Sequence, residues 1–266
     1  MPTIALKQGP AQYREWGSGS QVILMLHGWP ADSSHYSELA PKLAQAGWRV
    51  IVPDFPGWGE TPQPTEPWSV NDYMKWVQSL VEALKLPPFL LFGHSFGGRV
   101  AIKYVLAYPY QVRALTLCAA AGLKPDAYTV KRRALRLAAR TGKAVFTIPG
   151  LRIFSGFMRR ALYHLAGSND YLKAEGVMKQ TIVKVLEEDL SPLIPEIKHP
   201  TLLLWGSEDG ATPLSDGQEM AKRIPRSTLR VFPGLRHNLP KLAPNEVAQA
   251  IIEFDRSEAV QAISEA

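Results

Sequence analysis

The sequence holds one cysteine, Cys118, in 266 residues. That excludes an internal disulfide and every metal site built from several cysteines. Cys118 lies in the apolar run Ala114-Leu-Thr-Leu-Cys118, where inert packing is the plain reading. No H-E-x-x-H and no cluster of histidines and carboxylates at ligand spacing occurs, so no metal is implied. The G-x-G-x-x-G fingerprint and the G-x-x-x-x-G-K-[ST] loop are also missing, and no nucleotide cofactor is implied. No apolar run approaches the length of a membrane helix. The opening MPTIALKQGPAQYREW lacks a basic segment followed by an apolar stretch. The expectation is a soluble, cytoplasmic protein whose chemistry comes from side chains alone.

What is present is an ordinary globular balance, 46% hydrophobic and 20% charged. The length suits one α/β core with an insertion. Thr3 to Leu6 and Ala11 to Trp16 read as an antiparallel pair at a sheet edge, separated by Gly9-Pro10. Short apolar runs follow at 22–26, 49–53, 89–92, 113–119, 201–205 and 228–232. Between them lie helical stretches at 33–46, 69–86, 96–108, 215–224 and 245–258. In the 69–86 stretch, Val70, Tyr73, Met74, Val77, Leu80, Val81 and Leu84 recur at helical steps behind the candidate cap Ser69. Strands alternating with helices predict a mostly parallel central sheet with helices on both faces. The rhythm lapses from Gly122 to His199, which is helical in composition and reads as an inserted cap. The core is then 1–121 with 200–266, and the cap 122–199.

The chain is organised around Pro87 to Tyr108. Phe89 to Phe92 form an unbroken apolar run, as a strand buried on both faces requires. Gly93-His94-Ser95-Phe96-Gly97 fits G-x-S-x-G, a sharp strand-to-helix turn that presents a serine oxygen. The glycines at 93, 97 and 98 sit where a side chain would collide with the strand or the helix. Two further polar groups end predicted strands: Gly206-Ser-Glu-Asp209 and Gly234-Leu-Arg-His237. In open parallel sheets that edge gathers sites.

The order Ser95, Asp209, His237 matches the α/β-hydrolase triad order. With HGWP at 27–30, D-x-x-G-x-G at 54–59, GHSFGG at 93–98 and G-x-x-D-x-x-x-P at 206–213, the chain resembles the capped esterases, lipases and C–C hydrolases of the α/β-hydrolase superfamily. The resemblance covers nearly everything outside the cap. It implies an α/β-hydrolase fold, Ser95 as nucleophile, His237 as its base and Asp209 as the acid orienting that base. Glu208 is the rival acid, but Asp209 fits the family spacing. The backbone N–H groups of Trp29 and Phe96 would form the oxyanion hole, and the Trp29 indole could wall an acyl pocket or simply pack. His27, His94 and Asp54 read as loop braces. His35, His164 and His199 match no motif and read as structural or solvent-facing. The expected activity is cleavage of carboxylic esters of small to medium apolar acyl groups through an acyl-enzyme. Alternatives are C–C hydrolysis of the meta-cleavage type, in which a tryptophan commonly follows the histidine where this chain has Asn238, or a low-turnover ligand-binding protein on the same fold.

From Lys124 to Arg160 the chain carries ten Lys or Arg residues against Asp126 alone, a net +9 in a chain of +6. Arg132, Arg133 and Arg136 interleave with Val130, Leu135 and Leu137 as a basic amphipathic helix. Such a face fits weak contact with anionic surfaces, or plain solvation. No recognition module accompanies the charge, so nucleic acid is not expected as a partner. A small-molecule ester and a monomer or homodimer are.

Overall fold

A computed structural model describes residues 1–123, 175–257 and 260. The basic segment at 124–160, its apolar continuation and His164 lie outside the described residues.

Eight strands form one sheet in the described residues: β1 (Thr3–Leu6), β2 (Gly9–Trp16), β3 (Gln21–Leu26), β4 (Trp48–Pro53), β5 (Phe89–His94), β6 (Val112–Cys118), β7 (Thr201–Gly206) and β8 (Ser227–Phe232). Their order is β1-β2-β4-β3-β5-β6-β7-β8. β1 and β2 pair antiparallel, as does β2 with β4, and every other pairing is parallel. The turn between β1 and β2 falls at Lys7-Gln8 rather than at Gly9-Pro10. Pro10 instead pairs with Ala5, and a sheet edge tolerates its missing N–H.

The apolar runs are continuous because successive side chains point to opposite faces and both faces are covered. Leu24, Leu26, Leu91, Leu115 and Leu203 enter one core with α2 (Val70–Ala83), α3 (Phe96–Ala107), α4 (Gly176–Glu187) and α5 (Leu214–Arg223). Ile23, Met25, Leu90, Phe92 and Leu204 enter the other with α1 (Leu39–Gln45) and α7 (Pro244–Asp255). Each such burial contributes about 2 kcal/mol. Ser69 caps α2 through a reciprocal box, its own N–H donating to Asp72 Oδ2 at 2.8 Å.

The helix expected from Ser33 to Ala46 is broken into a 3₁₀ turn at Ser33–Tyr36 and then α1. Pro41 accounts for the break. It has no N–H for the Ser37 carbonyl, and its ring would clash with that carbonyl in a continuous helix. Asp32 caps the 3₁₀ turn, accepting the Ser34 N–H at 2.8 Å. A short helix α6 (Leu239–Leu242), not foreseen, follows β8.

The described end of the expected insertion packs onto the core. Met178, Ile182, Val185, Leu190, Ile194 and Ile197 are buried in the cluster that holds α2 and α3. Arg99 of α3 donates to the carbonyls of Val185 and Glu188 at 3.1 and 3.0 Å, satisfying the end of α4. Among the described residues, no helix is long and apolar enough to cross a membrane.

The strand order reverses at β3, with β4 on one side and β5 on the other. The crevice beyond the strand C-termini at such a reversal is where open α/β sheets bind ligands. Gly28 and Trp29 leave β3 there, and Ser95 leaves β5.

Candidate active site

Ser95 has φ 52° and ψ −113°. A residue with a side chain holds such a conformation at a cost of about 1–3 kcal/mol, so its surroundings must enforce it. They do so through the backbone: the Ser95 N–H donates to Cys118 O, and the Ser95 carbonyl accepts the N–H groups of Gly98 and Ala121, all at 3.0–3.1 Å. The turn can close only on glycine. A methyl at Gly97 would sit 2.2 Å from Leu26 O, and one at Gly98 would sit 2.4 Å from Ala120 Cβ. Gly28 also lies against the turn, less tightly, because a methyl there would lie 3.1 Å from His94 Nδ1 and 3.3 Å from Ser95 Cβ.

Phe96 is the first residue of α3, so its N–H has no partner within the helix. Neither that N–H nor the N–H of Trp29 finds an acceptor among the described residues. The rings of Trp29 and Phe96 meet edge to face, their centroids 5.6 Å apart. Two unspent backbone donors therefore adjoin the serine turn, one on the residue after Ser95 at the N-terminus of α3 and one on the residue after Gly28.

The carboxylate and imidazole arrive from β7 and β8. Asp209 is buried, and its Oδ2 accepts His237 Nδ1–H at 2.8 Å. Its Oδ1 accepts the N–H groups of Ala211 and Thr212 at 2.8 and 2.9 Å. Burial alone would push this carboxyl up. The hydrogen bond and charge of His237, with the Thr212 and Ala211 N–H groups, outweigh burial and hold it below its ordinary value. Glu208, the rival acid, is exposed, and its backbone N–H bonds Leu235 O. The pairing fixes Nδ1 as the protonated nitrogen of His237 and leaves Nε2 as a base. Among the described residues Ser95 Oγ makes no hydrogen bond, so the serine and imidazole are not yet engaged.

Thr212, which sequence reasoning passed over, and His35 and Asn238, which it gave no part in the site, complete the arrangement. The Thr212 hydroxyl lies 2.9 Å from Asp209 Oδ2, 3.1 Å from Ala119 O and 3.3 Å from His237 Nδ1. It thereby ties the carboxylate to the chain that leaves β6 beside Ser95. Its only sequence signal is its place just before Pro213 in the acid's loop. His35, which read as structural or solvent-facing, donates from Nε2 to Asn238 Oδ1. His35 also stacks on His94, 5.6 Å between centroids and 20° between planes. Asn238 is the third, held from across the sheet.

His94 donates from Nε2 to the His237 carbonyl at 3.0 Å. Burial, and then the neighbouring charge of His237, pull its pKa down to about 3, so it stays a neutral brace. His27 is bonded at both nitrogens, with Nδ1–H on Gly28 O and Nε2 accepting the Phe55 N–H. Burial lowers its pKa to about 4. Asp54 accepts the N–H groups of Ser33 and Glu60 at 2.7 and 3.0 Å. All three brace loops, as their settings in the sequence imply. His199 bonds Pro109 O, far from the site.

No group of three or more His, Cys, Asp or Glu side chains among the described residues could hold a metal ion. Cys118 is buried, which pushes its thiol well up. A groove of about 510 Å³ among Pro200, Leu202, Pro225, Ser227 and Thr228 opens at the N-terminal ends of β7 and β8, opposite Ser95, and takes no part in this arrangement.

Sheet order, serine elbow and the carboxylate–imidazole pair define an α/β-hydrolase. Residues 21–244 match the family model described as alpha/beta hydrolase fold, and the chain belongs to that family. It is 26% identical to a non-heme chloroperoxidase of Streptomyces lividans, over 92% of this chain and 95% of that protein. It is 25% identical to a 2-hydroxy-6-oxononadienedioate/2-hydroxy-6-oxononatrienedioate hydrolase of Burkholderia vietnamiensis, over 83% and 82%. Among solved structures, a thermophilic esterase from Thermogutta terrifontis superposes with a TM-score of 0.71 at 26% identity, covering 96% of this chain and 97% of that one.

Proposed function

We propose that the protein is a serine hydrolase that cleaves carboxylic esters of small to medium apolar acyl groups through an acyl-enzyme. The observation that carries this reading is the buried Asp209 carboxylate on His237 Nδ1, which leaves Nε2 free to take a proton at the edge where Ser95 protrudes. Ser95 Oγ gives its proton to His237 Nε2 and attacks the ester carbonyl carbon. The carbonyl oxygen, now negative, takes the N–H groups of Trp29 and Phe96, a pair worth on the order of 10²-fold or more per donor. Collapse expels the alkoxide, which receives the proton from His237 and leaves the acyl group on Ser95. Water then gives a proton to His237, attacks the acyl carbon and releases the acid, and the proton returns to Ser95.

Relatives named for hydrolysis of 2-hydroxy-6-oxo dienedioates support a second reading, C–C cleavage by the same residues. A chain-length series of p-nitrophenyl esters, run beside a 2-hydroxy-6-oxo dienoate with Ser95→Ala as blank, separates the two. Ester turnover should exceed dienoate turnover and fall about 10⁴-fold in the blank. Dominant dienoate turnover would replace the first reading with the second, and equal rates in the blank would remove both.

A further inference from the structure

Among the described residues, Trp29 and Trp58 each carry a buried indole N–H with no hydrogen-bond acceptor. Buried polar groups are almost always paired, so two orphans in mutual contact call for an explanation. The rings meet edge to face, 4.8 Å between centroids and 73° between planes. In such a pair one edge meets the other's face, so the contact offers a π acceptor to at most one of the two hydrogens. That interaction is second-order beside an N–H···O bond. Trp29 directly follows Gly28, which packs on Ser95 Cβ, and its ring also meets Phe96, the residue after the nucleophile. Trp29 therefore stands beside the crevice that holds Ser95, with Trp58 packed against it. Phe96 in turn packs against Phe55 and Tyr73, with centroids 5.2 and 5.0 Å apart.

Resting on the ester-hydrolase reading above, we propose that the two indoles form a subsite for an acceptor oxygen on the acyl chain. The preferred acyl group is then short and mostly apolar but carries one neutral oxygen, a ketone or an ether, beyond the ester carbonyl. An indole N–H donates and cannot accept, and it bears no charge, so it reads a lone pair without requiring an anion. Discrimination follows from the unpaired state. An all-carbon chain leaves both donors buried and unsatisfied, which is how a site built for hydrogen bonding rejects an analogue lacking the oxygen.

The test compares ethyl pentanoate, ethyl 4-oxopentanoate and ethyl 3-ethoxypropanoate by pH-stat, with each kcat/KM normalised to the ester's alkaline hydrolysis rate. In the wild type at least one oxygen-bearing ester should exceed ethyl pentanoate about 10-fold or more. Trp58→Phe keeps a ring and removes one N–H. It should lower that ratio severalfold toward one, and an unchanged thermal melt by circular dichroism reports correct folding. Ratios near one for both oxygen esters in the wild type, or a ratio that Trp58→Phe leaves unchanged, would overturn the subsite. Should no ester be turned over, the hydrolase reading fails, and the subsite is judged by calorimetric Kd values of the same esters for Ser95→Ala. Tighter binding of an oxygen-bearing ester that Trp58→Phe abolishes would support it, and equal Kd values would refute it.

Discussion

The two halves of the site are held by different forces. Around Ser95, between β3, β5 and α3, the backbone does the holding: three hydrogen bonds on the serine's own peptide groups and glycines too close to their neighbours for any side chain. Around Asp209 and His237, at the ends of β7 and β8, the holding passes through side chains: the carboxylate on His237, the Thr212 hydroxyl, His94 on the His237 carbonyl and His35 on Asn238. A backbone-held element fails when atoms are added to it. A side-chain-held element fails when polar atoms are removed.

The largest effect expected of that contrast lies on the second half. Asp209→Asn should cut kcat by about 10³- to 10⁴-fold, because the amide no longer anchors the His237 tautomer or its cation. Glu208→Gln, one residue away but exposed, should stay within about twofold. Equal losses in the two variants, measured on one p-nitrophenyl ester, would place the acid elsewhere.

The next pair sets addition against removal. Gly97→Ala adds one methyl 2.2 Å from Leu26 O and should cost about 1–3 kcal/mol of stability together with the activity. Thr212→Val removes one bond to the carboxylate and should lower kcat about 10-fold with KM unchanged, at little cost in stability. Denaturant titrations beside steady-state kinetics check both, and a Gly97→Ala protein as stable and active as wild type would erase the contrast.

The smallest effect concerns pH, where the halves oppose each other. His27 and His94, on the serine side, have pKa values lowered by burial to about 4 and about 3. Their neutral forms stabilise the fold fully above the unfolded value of about 6.5, and that stability is lost as pH falls from there toward 4 and then 3. Asp216, in the first turn of α5 on the acid side, is raised to about 6 by burial and then by the charge of Asp209. Its contribution is fully present below the ordinary value of 3.8 and lost as pH rises through about 6. Asp216→Asn should thus gain about 1 kcal/mol at pH 8 and nothing near pH 4. Denaturant midpoints at the two pH values read this directly, and a gain at pH 4 alone would reverse the assignment.

The same contrast explains what could be read from the sequence. Steric demands are written where they act, so the glycines at 93, 97 and 98 announced the elbow, and apolar runs announced a sheet buried on both faces. The carboxylate and histidine were legible only as polar residues after strands, placed together by family order. The contacts that Thr212, His35 and Asn238 make around the site were not legible. The bond of Thr212 to Ala119 O spans 93 residues and that of His35 to Asn238 spans 203, and no local pattern encodes such a pairing. Pro41 stood in plain view, and its clash with the Ser37 carbonyl divided the expected helix. The two indole donors of Trp29 and Trp58 likewise became visible only when packing showed them without acceptors.

The central claim is that Ser95 is the nucleophile, and a covalent label tests it most directly. A fluorophosphonate, which traps only a serine activated by a neighbouring base, should add one equivalent to the wild-type protein, with peptide mapping placing the adduct on Ser95. Labelling should fall away in Ser95→Ala and slow about as much as turnover does in Asp209→Asn. An adduct on another residue, or undiminished labelling of Ser95→Ala, would contradict the account.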